Sequence, residues 1–339
     1  MLDTIRVSIQ NFNSEKITKE NGWERTKDFP IYDYKKIKLA NKASIFMSYY
    51  SWSQTLVLHF SASKIQNGSN AIPYDFARYG IVENAIVKTV KDELGVTVKT
   101  KDMLVCRLDL NHDFVFENEE QVNAVMDFAN KILPARYEQR YIFGSAFSSL
   151  TKKGNGFRVY CKHQDKHLKK SERLAMDPTI RFEFQMNRKA ATRTFGFRPN
   201  LHQVLTNQIT VELVWNRLLD IYGLNKDIVT REELHRIAIE NISQPALRET
   251  LKQMNDAPSF DDKEHRQKQL AVTRKFKSLG VCPYSCEIPL TMKKNVCNTI
   301  IRLRKAKRIW NNTANSRPYK SRTITKDIPR NTKWYLDSS

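Results

Sequence analysis

The chain has 339 residues, 57 Lys and Arg against 36 Asp and Glu, and a formal net charge of +21. Its 40% hydrophobic content is enough for a buried core and excludes a wholly disordered chain. No apolar run is long enough to span a membrane or to follow a basic start as an export signal, and a field of this sign draws polyanions, nucleic acid foremost.

The strands expected in chain order are Thr4 to Ile9, Ile45 to Tyr50, Thr55 to Ser61, Met103 to Phe116, Arg140 to Phe143, Gly156 to Lys162 and Thr179 to Met186, each rich in β-branched or aromatic residues. Two helices interrupt them. One lies between Tyr74 and Glu93; the other is introduced by Asn118 and runs through QVNAVMDFANKIL to a stop at Pro134. KKGNG, residues 152–156, reads as a hairpin turn.

After about residue 195 the pattern becomes helical: VELVWNRLLDIYGL with Gly223 as stop, REELHRIAIE with Thr230 as N-cap, QPALRETLKQM, and two basic segments, DDKEHRQKQLAVTRKFKSLG and MKKNVCNTIIRLRKAKRIW. Residues 271–339 hold 16 Lys and Arg against 3 Asp and Glu. Arg302, Arg304, Lys305, Lys307 and Arg308 form the densest point, and so one-signed an excess favours a polynucleotide over a merely solvated face. From Asn311 onward the chain reads as a basic flexible tail.

The five cysteines, Cys106, Cys161, Cys282, Cys286 and Cys297, are odd in number and scattered, which predicts a reducing cytoplasm and no disulfide framework. CPYSC lacks a nearby histidine to complete a zinc site, so these residues read as small apolar side chains.

Three strands share one pattern. Period-two alternation puts Arg107, Asp109 and Asn111 on one face of VCRLDLNHDF, Arg158, Tyr160 and Lys162 on one face of GFRVYCKHQ, and Arg181, Glu183 and Gln185 on one face of TIRFEFQM. If the strands are neighbours, Asp109, Tyr160 and Glu183 converge while helices cover the apolar side. Two carboxylates suit Mg²⁺ or Mn²⁺, and a tyrosine oxygen beside such an ion can attack a phosphodiester. The same pattern equally fits cross-strand ion pairs on a solvated face. His59, in TLVLHF, is a weak further ligand candidate. Lys64, Asn67, Gly68 and Asn70 read as a polar loop in which glycine permits close approach to a phosphate or makes a plain turn.

SASKIQNGSN, CRLDLNHDF, FRVYCKHQDKHL and TIRFEFQM, in that order over roughly residues 1 to 190, resemble the filamentous-phage replication initiators, the gene II endonuclease family, and more distantly the rolling-circle plasmid initiators. The resemblance implies nicking of one strand at an origin by Tyr160, leaving a 5′-phosphotyrosine and a free 3′ hydroxyl, and rejoining of ends after a round of synthesis. It implies Asp109 and Glu183 as the acids of a metal site. Lys162, with Arg158, lies on the face to favour the phenolate, and Lys162 is the candidate for stabilising transition-state charge. The chain lacks the paired HxH of many rolling-circle initiators; its histidines stand at 59, 112, 163, 167, 202, 235 and 265.

The fold expected is α+β, an antiparallel-rich sheet backed by helices on one face and followed by a basic helical region. The expected parts are a nicking and joining domain over 1–195, a helical, basic DNA-binding region over 196–310 and a tail over 311–339. Arg107, Arg158, Arg181, Lys64 and the Arg302–Arg308 cluster are the expected DNA contacts. The partners implied are origin DNA, supercoiled duplex and then single strand, with a host helicase and polymerase in a bacterial cytoplasm and no membrane. A non-catalytic repressor with the same basic surface remains the alternative.

Overall fold

Alternating apolar side chains build one continuous sheet. The structure, a computed structural model, describes residues 2–27, 30–131, 139–143, 146–150, 156–165, 168–221, 224–256 and 263–288, with backbone alone for 130–131, 139–143, 146–150, 221 and 263–266. Residues Met1–Lys293 form one compact unit, separate from the remaining 294–339. The latter lie outside the described residues. With them go the expected Arg302, Arg304, Lys305, Lys307 and Arg308 cluster and the tail; Cys297, Pro134, Gly223, His167 and most of the KKGNG turn are likewise outside the described residues.

The strands are β1 (Leu2–Ile9), β2 (Glu24–Arg25), β3 (Asp33–Lys38), β4 (Ser44–Tyr50), β5 (Thr55–Ser61), β6 (Leu104–Val115), β7 (Gln139–Phe143), β8 (Ala146–Leu150), β9 (Gly156–Cys161) and β10 (Thr179–Asn187). They pair in the order β2-β3-β4-β5-β1-β6-β10-β9-β8-β7, every pair antiparallel. The fold is thus α+β with an antiparallel sheet. Sequence order does not set strand order: β1 and β6 lie at the middle, and β10 inserts between β6 and β9. That arrangement makes neighbours of the three strands bearing the Arg-acid and Arg-Tyr patterns.

The helices are α1 (Ala62–Asn67), α2 (Tyr79–Leu94), α3 (Glu119–Lys131), α4 (Lys170–Leu174), α5 (Arg188–Phe195), α6 (Leu201–Thr206), α7 (Gln208–Ile221), α8 (Arg231–Asn241), α9 (Pro245–Asp256) and α10 (Lys263–Ser278). Their starts follow local capping chemistry. Asn118 Oδ1 accepts from the Gln121 N–H at the head of α3, Asn187 Oδ1 from Ala190 N–H at α5, and Thr230 Oγ1 from Glu233 N–H at α8.

One face of the sheet is apolar and buried: Ile5, Val7, Ile45, Met47, Leu58, Val105, Leu108, Phe157, Val159 and Ile180 are wholly excluded from solvent. On it the Phe184 ring meets Trp215 of α7 at 5.0 Å and Phe157 at 4.9 Å. Tyr74 Oη donates to the Leu205 carbonyl of α6 at 3.0 Å, so α6 and α7 close the same core as the strands. Cys282 and Cys286 are also buried, and burial pushes the Cys282 thiol up to about 12.

The segment expected as a polar loop is different in kind. Ser61 Oγ caps α1 by accepting from the Lys64 N–H, and Ala62 and Ile65 enter the core. Gly68 ends the helix at φ +75°, a left-handed conformation natural to glycine, and its N–H bonds the Lys64 carbonyl. The glycine is therefore a helix cap. The close approach belongs to Asn70, whose carbonyl accepts from Arg181 Nη2 at 3.0 Å.

Candidate functional site

The face opposite the core is polar, and strand register fixes who meets whom on it. Across β10, Arg181 faces Asp113 of β6 on one side and Tyr160 of β9 on the other; Glu183 faces Asn111 and Arg158; Gln185 faces Asp109. Across β1, Arg6 faces Arg107 of β6 and His59 of β5. Side chains directly opposite one another share a face, so Tyr160, Glu183, Asp109, Arg158 and His59 all lie on one surface.

The carboxylates occupy its centre. Asp109 is buried, and Arg107 reaches it from two residues upstream with a fork of bonds, Nε to Oδ1 at 2.9 Å and Nη2 to Oδ2 at 2.6 Å. Burial raises the Asp109 carboxyl against the pull of Arg107, and the charge of Asp3 adds to the rise. Glu183, 5% exposed, is pushed up to about 7 by burial, then by the charges of Asp109 and Asp3; Arg158, whose Nη1 lies 3.4 Å from Oε1, opposes this. Asp3, from the first strand, is fixed by the Ser61 hydroxyl donating to Oδ1 at 2.9 Å. Three acids therefore crowd one poorly solvated region.

A second group surrounds Arg181. Its guanidinium is 1% exposed and forks onto Asp113, Nε to Oδ1 at 2.6 Å and Nη2 to Oδ2 at 2.7 Å; Nη1 lies 3.7 Å from Asp3 Oδ2. The strand pattern places Arg181 among the DNA contacts, and the structure corrects this. Burial and three oxygen partners leave it no surface for a phosphate, and it acts instead as the internal counter-charge between Asp113 and Tyr160. Burial alone would raise the Asp113 carboxyl, but Arg181 holds it below its ordinary value.

Tyr160 stands half-buried beside that cation. Burial drives its phenol well above the ordinary tyrosine range; Arg181 opposes the rise, while Glu183, Asp3 and Asp113 add to it. Lys162 does not continue the strand face. The chain leaves extended geometry after Cys161, and Lys162 opens a 3₁₀ turn, Lys162–Gln164. Its buried ammonium bonds Asp165 Oδ2 at 2.6 Å and lies 5.7 Å from the centre of the Tyr160 ring. Burial, then Arg181, lowers its proton affinity.

From strand spacing and rise, Glu183 stands about 8 Å from Tyr160 between Cα atoms, and Asp109, four residues along and one strand further, about 16 Å. Two further acids, Asp113, directly across Arg181, and Asp3, also act on the phenol. Neither was singled out from the sequence. Asp113 continues the Arg107-Asp109-Asn111 alternation by one more step; Asp3 carries no local signal, and only the pairing of β1 with β6 brings it in.

His59 lies between Phe46 and Arg6, with Arg107 one strand beyond Arg6; burial and then the charges of Arg6 and Arg107 depress it to about 4, so its imidazole is neutral near pH 7. Among the described residues no three His, Cys, Asp or Glu side chains are grouped to hold a metal ion. The donor chemistry of the pair Asp109 and Glu183 nevertheless fits a hard divalent cation. Mg²⁺ commonly takes one or two carboxylates with water and substrate phosphate, and the repulsion from Asp109 and Asp3 that adds to burial in raising Glu183 is the field such an ion neutralises. Lys64 sits in α1, beside the capping Ser61 that holds Asp3. Arg158, 38% exposed at its side chain, is the arginine of the three strands most open to a ligand, because Arg107 is committed to Asp109.

No family model and no curated protein sequence matches this chain. Among solved structures, a rolling-circle replication initiator protein from Geobacillus stearothermophilus is similar at a TM-score of 0.36 and 12% identity, over 66% of this chain and 84% of that one. A likeness so distant transfers no chemistry from one chain to the other. Among the described residues no helix is long and apolar enough to cross a membrane.

Proposed function

We propose that this chain is a rolling-circle replication initiator that nicks one strand of origin DNA through Tyr160 and later rejoins the ends. The observation that carries the reading is the common surface: one sheet face presents a phenol beside Arg181, with Lys162 against its ring, and an acid pair suited to a divalent cation, Glu183 on the adjacent strand and Asp109 one strand further. In the reaction the Oη–P bond forms as the P–O3′ bond breaks. The phenol loses a proton, the leaving 3′ oxygen gains one, and the ester energy is kept in the phosphotyrosine for rejoining.

Burial keeps the phenol protonated, so the nearby positive charges matter. Arg181 is the fixed charge that favours phenolate. Lys162, wholly buried and bonded to Asp165, adds a second cation held against the ring. Asp109 and Glu183 would hold Mg²⁺ or Mn²⁺, which supplies charge neutralisation at a scissile phosphate; His59, neutral, is the remaining candidate donor. Arg158 meets the backbone phosphate. Origin recognition, the host helicase and polymerase, and a bacterial cytoplasm belong to the same proposal.

The test is relaxation of supercoiled origin plasmid by purified protein with Mg²⁺ or Mn²⁺. Wild type nicks; Tyr160→Phe binds the plasmid with the same affinity and leaves it supercoiled. Intact plasmid with the wild type on every candidate origin, alongside tight binding, would favour a repressor.

A further inference from the structure

The other half of the polar face carries aromatic rings. Register runs one transverse row through Lys36, Phe46, His59, Arg6 and Arg107, from β3 to the acid pair. Tyr34 and Tyr50 lie two and four residues from this row on the same face, since Tyr34 opposes Ser48 and Tyr50 opposes Thr55. Their rings form a connected patch: Tyr34 stacks on Phe46 at 5.7 Å and 21°, Tyr32 lies 6.2 Å from Tyr34 and 5.0 Å from Tyr50, and Trp52 lies 6.5 Å from Tyr50. Tyr32, Tyr34, Phe46 and Tyr50 are half-buried, and Trp52, in the turn between β4 and β5, is 75% exposed.

These rings are not core. The core side of the same strands is filled by Ile45, Met47, Leu56 and Leu58, all with no exposure. A contiguous aromatic surface left facing water marks a binding site more often than an accident of packing. Its charges say what kind. Lys36 and Lys38 are exposed along β3, and Arg6 lies between the patch and the acids with its Nε buried and without a hydrogen-bond partner. Flat rings interleaved with cations suit unpaired bases joined by phosphates: each base offers a face to stack, each phosphate an acceptor for Lys or Arg. A duplex keeps its base faces inside its own stack and has no use for the rings.

We infer that Tyr32, Tyr34, Phe46, Tyr50 and Trp52 form a stacking platform for single-stranded nucleic acid, continuous with the Tyr160 site. The inference deepens the proposed nicking function by assigning where the unpaired strand lies. From Phe46 to Tyr160 is five strand spacings across and six residues along, about 31 Å, so a strand of several nucleotides reaches from the rings to the phenol, with Arg6 meeting a phosphate on the way.

The experiment measures binding by the full chain in the Tyr160→Phe background, which removes cleavage from the readout. The probes are fluorescent oligo(dT) of about 12 nucleotides, within the span such platforms take, an abasic strand of equal length, and a duplex. Trp52→Ala and Tyr50→Ala should each weaken oligo(dT) binding by roughly 5- to 100-fold and leave the abasic strand unaffected. Trp52→Phe should restore most of the loss, which separates stacking from misfolding. The inference is overturned if the alanine variants bind oligo(dT) as the parent does, if all three probes weaken alike, or if the variants abolish only self-association of the chain. Base-dependent binding by a wild type that never nicks would overturn the nicking reading alone; nicking with oligo(dT) affinity unmoved by Trp52→Ala would overturn the platform alone.

Discussion

Glu183→Gln should make the protein clearly more stable at pH 8 and change it by less than about 1 kcal/mol at pH 5. Glu183 is buried, near Asp109 and Asp3, and its carboxyl is pushed from about 4.5 up to about 7. An acid whose folded-state proton affinity is raised contributes its stability below the unfolded value, here about 4.5, and loses it as pH rises through about 7. The displacement corresponds to roughly 3 kcal/mol of destabilisation once the group is ionised. The substituted amide carries no charge at any pH, so the variant escapes that cost at pH 8 and matches the protonated wild type at pH 5 to within about 1 kcal/mol. For a unit of this size, Met1–Lys293, each kcal/mol moves Tm by about 1.6 °C, giving a gain of roughly 5 °C. The wild type's own profile is a poor readout. His59, depressed to about 4, contributes stability above its ordinary 6.5 and loses it as pH falls toward 4, opposing Glu183 in part of the same window. The difference between variant and wild type, by calorimetry or urea denaturation at the two pH values, cancels His59. A variant whose advantage is absent at pH 8, or equal at both, would refute the crowding of acids.

Millimolar Mn²⁺ at pH 8 should raise the wild type's Tm, as any ligand of the folded state does, and leave that of Glu183→Gln unmoved; equal shifts would place the ion elsewhere. Asp113→Ala, which strands the wholly buried Arg181, should cost about 3–5 kcal/mol in urea denaturation, and a loss under about 1 kcal/mol would show that Arg181 finds another partner. Lys162→Met should slow nicking by about 10²-fold with DNA affinity unchanged; full activity would reduce Lys162 to the partner of Asp165.

The strands β6, β9 and β10 are legible in the sequence because their alternation is long and clean, and it places Asp109, Tyr160 and Glu183 on one side of each strand. β3 is not: DYKKIK mixes lysines on both faces, as edge-region strands do. Glu24 and Arg25 of β2 are too few for any period, and α1, α5 and α6, at six to eight residues, hold barely two turns. Alternation also fails where the backbone stops being extended. Period two assigns Lys162 to the Tyr160 face, yet the chain turns after Cys161, and the side chain comes to rest over the ring and against Asp165. Period tells which face a residue takes and nothing of depth, so Arg181 reads as a surface cation while the structure buries it on Asp113. Asp3 and Arg6 become visible only once β1 is found between β5 and β6.

Covalent joining of Tyr160 to DNA is the step on which the proposed function stands. Incubating wild type with end-labelled origin strand and Mg²⁺ or Mn²⁺, then sequencing the label-bearing peptide by mass spectrometry, tests it directly. The expected peptide contains Tyr160 linked to a 5′ phosphate, and none forms with Tyr160→Phe. A linked peptide centred on any other residue, or an adduct that persists in the phenylalanine variant, would contradict the account.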